Sequence, residues 1–154
     1  MADERVLNAL RDLHRAQAYV VETYDKHSKD ERLPIDIRKS ISDILQDHYQ
    51  HRIRIEKAIR ELGSEAPSAA ATLTGWLSGL KELVAPTAVD YHMIQNDLAT
   101  EYSLVAAYKV TIELAADYPN VVDACRENMA DDEQHIGTFE ATALGLARKA
   151  RKAA

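Results

Sequence analysis

The sequence predicts an all-α protein, a four-helix bundle with one long crossover that contains a short extra helix. Three observations carry this. Only 5 Gly and 4 Pro punctuate 154 residues, so the chain has few places to break a helix. Apolar residues recur three and four apart over four long segments, the period of a helix with one buried face. The connections are unequal, since the first pair and the last pair of segments are joined by short links while a long stretch, Ser64 to Ala85, separates the pairs. The length is that of one ordinary domain, 1–154.

The first segment, residues 3–28, carries Val6, Leu10, Leu13, Gln17, Val20, Val21 and Tyr24 at helical spacing and ends in a polar run, His27 to Arg32. The second opens at Pro34, a residue suited to a first turn, and places Ile37, Ile41, Ile44, Leu45, His48, His51, Ile55, Ile59 and Leu62 on one stripe before Gly63 stops it. So short a link makes these two helices antiparallel neighbours. Between Ser64 and Ala85 the composition shifts to small residues, with a short amphipathic pattern of Leu73, Trp76, Leu77, Leu80 and Leu83. A third helix over 86–116 follows, with Tyr91, Ile94, Leu98, Glu101, Leu104, Val105, Tyr108 and Ile112 on its face. A fourth over 120–150 carries Val121, Cys125, Met129, Asp132, His135, Ile136, Phe139, Ala143 and Leu146. The connection of the second to the third is long enough, part helical and part extended, to span a helix of roughly 45 Å. Two hairpins joined by one crossover are therefore expected.

Charge and cysteine content exclude several functions. A net charge of -6 argues against nucleic-acid binding, and the one basic cluster, Arg148 to Lys152, stands where a helix C-terminus favours positive charge anyway. The single Cys125 forbids an intrachain disulfide and a cysteine-based zinc site, which fits a reducing cytoplasm. No secretion signal opens the chain, and no apolar run reaches the roughly 20 residues needed to span a bilayer.

Two stretches echo one another: Asp47-x-x-x-His51-x-x-x-x-Glu56 and Asp131-x-x-x-His135-x-x-x-x-Glu140. Rotating each helix by about 100° per residue sends some of their polar residues inward and others to the stripe edge. Inward-facing are His14 and Gln17 on the first helix, His48 and His51 on the second with Asp47 at the flank, Glu101 on the third with Asp97 and Tyr108, and Asp132 and His135 on the fourth with Asn128. Glu56, Asp131 and Glu140 fall toward the edge, and His27 and His92 lie near helix ends as ordinary surface residues. Counted from the helix midpoints, His14, Gln17, His48, His51, Glu101, Asp132 and His135 share one central layer. A carboxylate such as Glu101 in an apolar stripe costs several kcal/mol unless paired or metal-bound. A metal ion is the natural counter-charge, with a salt bridge to Arg52 or a hydrogen bond to Tyr108 as the other way to satisfy it. Imidazoles and carboxylates together suit iron, manganese or zinc, and Asp132 with His135 has the i, i+3 spacing that lets one helix supply two ligands. The candidate ligands are Glu101, Asp132, His135, His48, His51, His14 and Asp47.

The stretch Met129-Ala-Asp-Asp-Glu-Gln-His135-Ile136 resembles the second ligand helix of the rubrerythrins, in the ferritin-like superfamily. Three further stretches are similar to small bacterial ferritin-like proteins such as the YciE and YciF stress-protein group: His51 to Gly63, Trp76-Leu-Ser-Gly-Leu-Lys81 and Glu101-Tyr-Ser-Leu-Val-Ala-Ala-Tyr108. The resemblance implies a ferritin-like bundle with a mono- or dinuclear metal site, iron first, with a role in iron or oxidative-stress handling. In that family one Glu comes from each of two helices and Glu-x-x-His from each of the others. Glu101, His51, and Asp132 with His135 match that pattern. His48 stands where a carboxylate is expected, and the first helix offers His14 or Gln17 in place of Glu. Two other functions fit the same residues: a three-histidine zinc-type site of His48, His51 and His135, and a non-enzymatic bundle whose polar layer is a hydrogen-bond network. In the latter, Trp76 and its neighbouring leucines would anchor a dimer.

Overall fold

The computed structural model describes residues 3–68 and 89–153, and all of its regular structure is helical: α1 (Glu4–Ser28), α2 (Ile35–Glu61), α3 (Val89–Leu114) and α4 (Pro119–Ala153). The expected short helix around Trp76, and the expected start of α3 at Pro86, lie outside the described residues. Three of the helix ends have clear local causes. At α1 the Asp3 carboxylate accepts from the Arg5 backbone N–H at 2.8 Å, meeting one of the donors that a first turn leaves open. At the end of α2, Gly63 adopts φ +77°, where an L side chain is strained. Its N–H donates to the Arg60 carbonyl at 2.9 Å while Ser64 N–H donates to Ile59 at 3.2 Å, closing the helix with a left-handed cap. Pro119 opens α4, where its missing N–H costs nothing.

Most residues of the expected stripes are buried, while Ile37, Leu62, Leu98, Ile112 and Met129 are only partly so. Leu10, Leu13, Tyr24, Ile41, Ile55, Ile59, Ile94, Leu104, Tyr108, Cys125 and Phe139 form one continuous core. In cross-section α1 packs on α2 and α3, and α4 packs on α3 and α2, so the diagonals are α1 with α4 and α2 with α3. Helix directions follow from bonds between the helices. His14 meets Glu56 and Gln17 meets His48, so α1 and α2 are antiparallel. Gln17 meets Tyr108, Tyr24 meets Glu101 and His27 meets Asp97, so α1 and α3 are antiparallel too. Two helices that both oppose α1 run parallel to each other. The end of α2 and the start of α3 therefore lie at opposite ends of the bundle, about 40 Å apart for 27 residues of helix. No helix among the described residues is long and apolar enough to cross a membrane.

Candidate metal centre

Midway along the bundle the apolar core is interrupted by fully buried polar groups from all four helices: Gln17 on α1, His48 and His51 on α2, Glu101 on α3, and Asn128 and Asp132 on α4, with His135 almost as buried. Donor atoms of His48, Glu101, Asp132 and His135 lie within 4.8 Å of one another. His51 adjoins them, its Nδ1 standing 3.3 Å from Asp132 Oδ1. The three imidazoles surround the cluster, with ring centres 5.0 Å (His48 to His51), 5.2 Å (His48 to His135) and 6.0 Å (His51 to His135) apart.

Each imidazole has one nitrogen tied outward and one turned to the centre. His48 Nδ1 is 2.9 Å from Gln17 Oε1, and Gln17 Nε2 donates to the Tyr108 hydroxyl at 2.8 Å, so the amide oxygen is the end that accepts the His48 proton. His48 Nε2 faces inward, 3.0 Å from Glu101 Oε1. His51 Nε2 is held by Asp131 Oδ2 at 3.0 Å, and His135 Nε2 by Asp47 Oδ2 at 3.1 Å. These last two pairs explain the echo in the sequence, because the aspartate of each copy holds the histidine of the other. On facing antiparallel helices, residues four apart meet reciprocally.

The inward atoms are left incomplete. His51 Nδ1, His135 Nδ1, Glu101 Oε2 and both oxygens of Asp132 are buried and make no hydrogen bond. His135 Nδ1 is 3.5 Å from Glu101 Oε2 and 3.6 Å from Asp132 Oδ1, too far for a good bond. Glu101 Oε1 is better served, since the Tyr24 hydroxyl donates to it at 2.6 Å. Buried polar atoms are almost always paired, so five partnerless ones in one layer are unusual, and four of the five belong to Glu101, Asp132 and His135, whose donors cluster with that of His48. The electrostatics agree. Burial pulls His135 down, but Asp132, Glu101 and Asp47 outweigh it and raise it to about 10. Burial pushes the Glu101 carboxyl up, yet His48 and His135 hold it below the usual range. A carboxylate held ionised in a dry core, as Glu101 is, attracts positive charge, from a protonated imidazole or a metal ion.

Other expected residues sit elsewhere. His14 is buried in α1 but turns its Nε2 to Glu56 Oε1 at 2.9 Å, with Arg52 Nε 3.3 Å away. Arg52 thus serves His14 and Glu56 and is not the counter-charge of Glu101. Asp47 reaches the cluster only through the outer nitrogen of His135 and is 54% exposed. His27 is not a plain surface residue, for its Nδ1 lies 3.0 Å from Asp97, a buried carboxylate. Tyr24 was legible only as a core residue. Its place on the α1 stripe, two turns past Gln17 and level with Glu101 on an antiparallel α3, was the signal for its second role.

Several solved structures that share this architecture are bacterioferritins or related to them. A Mycobacterium tuberculosis bacterioferritin superposes with a TM-score of 0.78 at 20% identity, covering 97% of this chain and 89% of its own. A dodecameric thioferritin from Bacteroides fragilis, a bacterioferritin-related protein, gives 0.79 at 14%, covering 99% and 92%. A Rhodobacter capsulatus bacterioferritin, solved with a metal-free dinuclear site and a heme iron, gives 0.75 at 17%, covering 96% and 89%. No protein-family model and no curated protein matches the chain. Identities this low establish a shared fold.

Proposed function

We propose that this chain, a ferritin-like four-helix bundle by fold, is a metal-binding protein that holds a divalent transition-metal ion at mid-bundle. His48, His51, His135, Glu101 and Asp132 are the ligands, and Asp47 is an outer partner that orients His135. The observation that carries this reading is the cluster of His48, Glu101, Asp132 and His135 donors within 4.8 Å of one another, together with the buried atoms of Glu101, Asp132, His135 and the adjoining His51 that have no partner. A mixed imidazole and carboxylate set suits iron, manganese or zinc, and the bacterioferritin neighbours favour iron. Bound iron would supply one-electron chemistry toward dioxygen or peroxide, whereas zinc would supply a Lewis acid.

The protein's own residues do the rest. Gln17, Asp131 and Asp47 fix the tautomers by holding the outer nitrogens, so that the inner lone pairs face the ion. Tyr24 donates to Glu101 Oε1 and leaves Oε2 free for the metal. Tyr24 in turn packs edge-on against the buried Phe139, ring centres 5.7 Å apart. A role in iron or oxidative-stress handling in the cytoplasm, by a self-associating protein, belongs to the same reading. The dodecameric state of the Bacteroides fragilis protein supports self-association.

Elemental analysis of protein purified without a histidine tag tests the proposal. Metal at a fixed ratio to protein is expected, lost when Glu101 and His135 are both changed to Ala. Metal-free protein that takes up no ion, and whose stability is unmoved by those changes, would leave a hydrogen-bonded polar layer as the function of these residues. The bonds from Gln17 and Asn128 to the Tyr108 hydroxyl are what such a layer would consist of.

A further inference from the structure

Resting on the metal-binding reading, we infer that the centre takes one divalent ion per chain, not a pair, and that Gln17 and His48 together set that limit. Three features of the layer lead there, beginning with size. Ligand atoms facing each other across one ion at about 2.2 Å stand about 4.4 Å apart, whereas two ions spread their outermost ligands over roughly 8 Å. The donors of His48, Glu101, Asp132 and His135, one atom from each, lie within 4.8 Å, a few tenths from the single-ion spacing, and His51 Nδ1 adjoins this set at 3.3 Å from Asp132 Oδ1.

Charge is the second feature. The carboxylates turned to the centre are Glu101 and Asp132, both fully buried. Their two negative charges neutralise one divalent cation. A second ion would leave two uncompensated positive charges in an apolar core, which is strongly disfavoured. Asp47 and Asp131 do not make up the difference, because they lie outside the imidazoles, on the far nitrogens of His135 and His51, and are 54% and 36% exposed.

The third feature is the number of free donors. Bridging two metals calls for groups with two donor atoms at the centre, and of the two inward carboxylates only Asp132 has both oxygens without a partner, Glu101 Oε1 being held by Tyr24 and His48. His48 presents a single inward nitrogen, since Nδ1 is committed to Gln17. Gln17 offers nothing further, because its oxygen accepts from His48 and its nitrogen donates to Tyr108. α1 and this position of α2 therefore contribute neither charge nor a bridge. One amide ties up one imidazole, and neither residue has a donor left for a second ion.

Titration of metal-free protein with Mn2+ under anaerobic conditions, followed by elemental analysis and by electron paramagnetic resonance, tests this. One ion per chain is expected, with the six-line signal of an isolated Mn2+; ions held by the acidic surface are subtracted using the Glu101→Ala, His135→Ala protein. Two ions per chain with a spin-coupled signal would overturn the one-ion inference while leaving metal binding intact. No site-specific uptake would overturn metal binding itself. Restoring carboxylates through Gln17→Glu with His48→Glu is expected to raise the ratio from one to two. A ratio still at one in that folded variant would remove Gln17 and His48 as the limiting residues. Should the double variant not fold, Gln17→Glu alone is read the same way, with a rise above one expected and an unchanged ratio counting against the assignment.

Discussion

Tyr24 and Asp97 show how single residues support a charged layer inside a helical core. Tyr24 gives Glu101 a donor that is fully buried, so Tyr24→Phe leaves Glu101 Oε1 short of that partner. The change should cost about 1–3 kcal/mol in metal-free protein, read from urea denaturation, and a loss of only a few tenths would show that the bond is idle. Asp97 is governed by burial, which raises it from 3.8 to about 6 although His27 beside it works the other way. Folded protein thus holds this proton more tightly than the unfolded chain does. The stability contributed is fully present below about pH 4 and is lost as pH rises through about 6, an amount on the order of 3 kcal/mol. Asp97→Asn removes that dependence, so the variant should gain on the wild type between pH 4.5 and 7.5 in denaturant titrations. A difference that stays flat over that range would show that Asp97 does not titrate as its burial demands.

At the scale of the element, the ends of the helices set their lengths, and their lengths set which residues share a level. α2 stops at Glu61 because Gly63 supplies the left-handed cap, and an added Cβ there would meet nothing within 4 Å. The penalty for Gly63→Ala is therefore purely conformational, about 1 kcal/mol by thermal or chemical denaturation, with the metal ratio unchanged. A change in metal content would mean that the cap holds the register of α2 and not merely its end. Register matters because His48 and His51 on α2 must face Asp132 and His135 on α4. The reciprocal bonds Asp47 to His135 and Asp131 to His51 hold the two helices at that level.

For the molecule as a whole, the polar layer is a cost that the apolar core offsets and that the proposed ion would offset further. An ion that binds only the folded state, present at about a hundred times its Kd, adds about 2.7 kcal/mol. For a chain of this length that is a rise in Tm of roughly 5–10 °C, which should be absent in the Glu101→Ala, His135→Ala protein. Equal rises in both proteins would place the stabilising ion on the surface. Self-association is checked by light scattering, with a mass above that of the 17.2 kDa chain expected and a monomer at all concentrations counting against it.

Fold and layer were legible in the sequence because both depend on local periodicity. The helical stripes follow from the spacing of Leu10, Ile41, Ile94 and Phe139, and counting from helix midpoints brings His48, His51, Glu101, Asp132 and His135 to one height. The antiparallel pairing of α1 and α2 followed from a short link, and the return crossover from a long one. Only the tertiary structure decided which nitrogen of each imidazole faces inward, that His14 turns away to Glu56, and that Tyr24 serves Glu101. It also assigned the echoed aspartates, one to each other's histidine. The physical reason is that helical period fixes the direction of a Cα–Cβ bond, whereas the rotamer and hydrogen-bond partner beyond it depend on what the neighbouring helix presents.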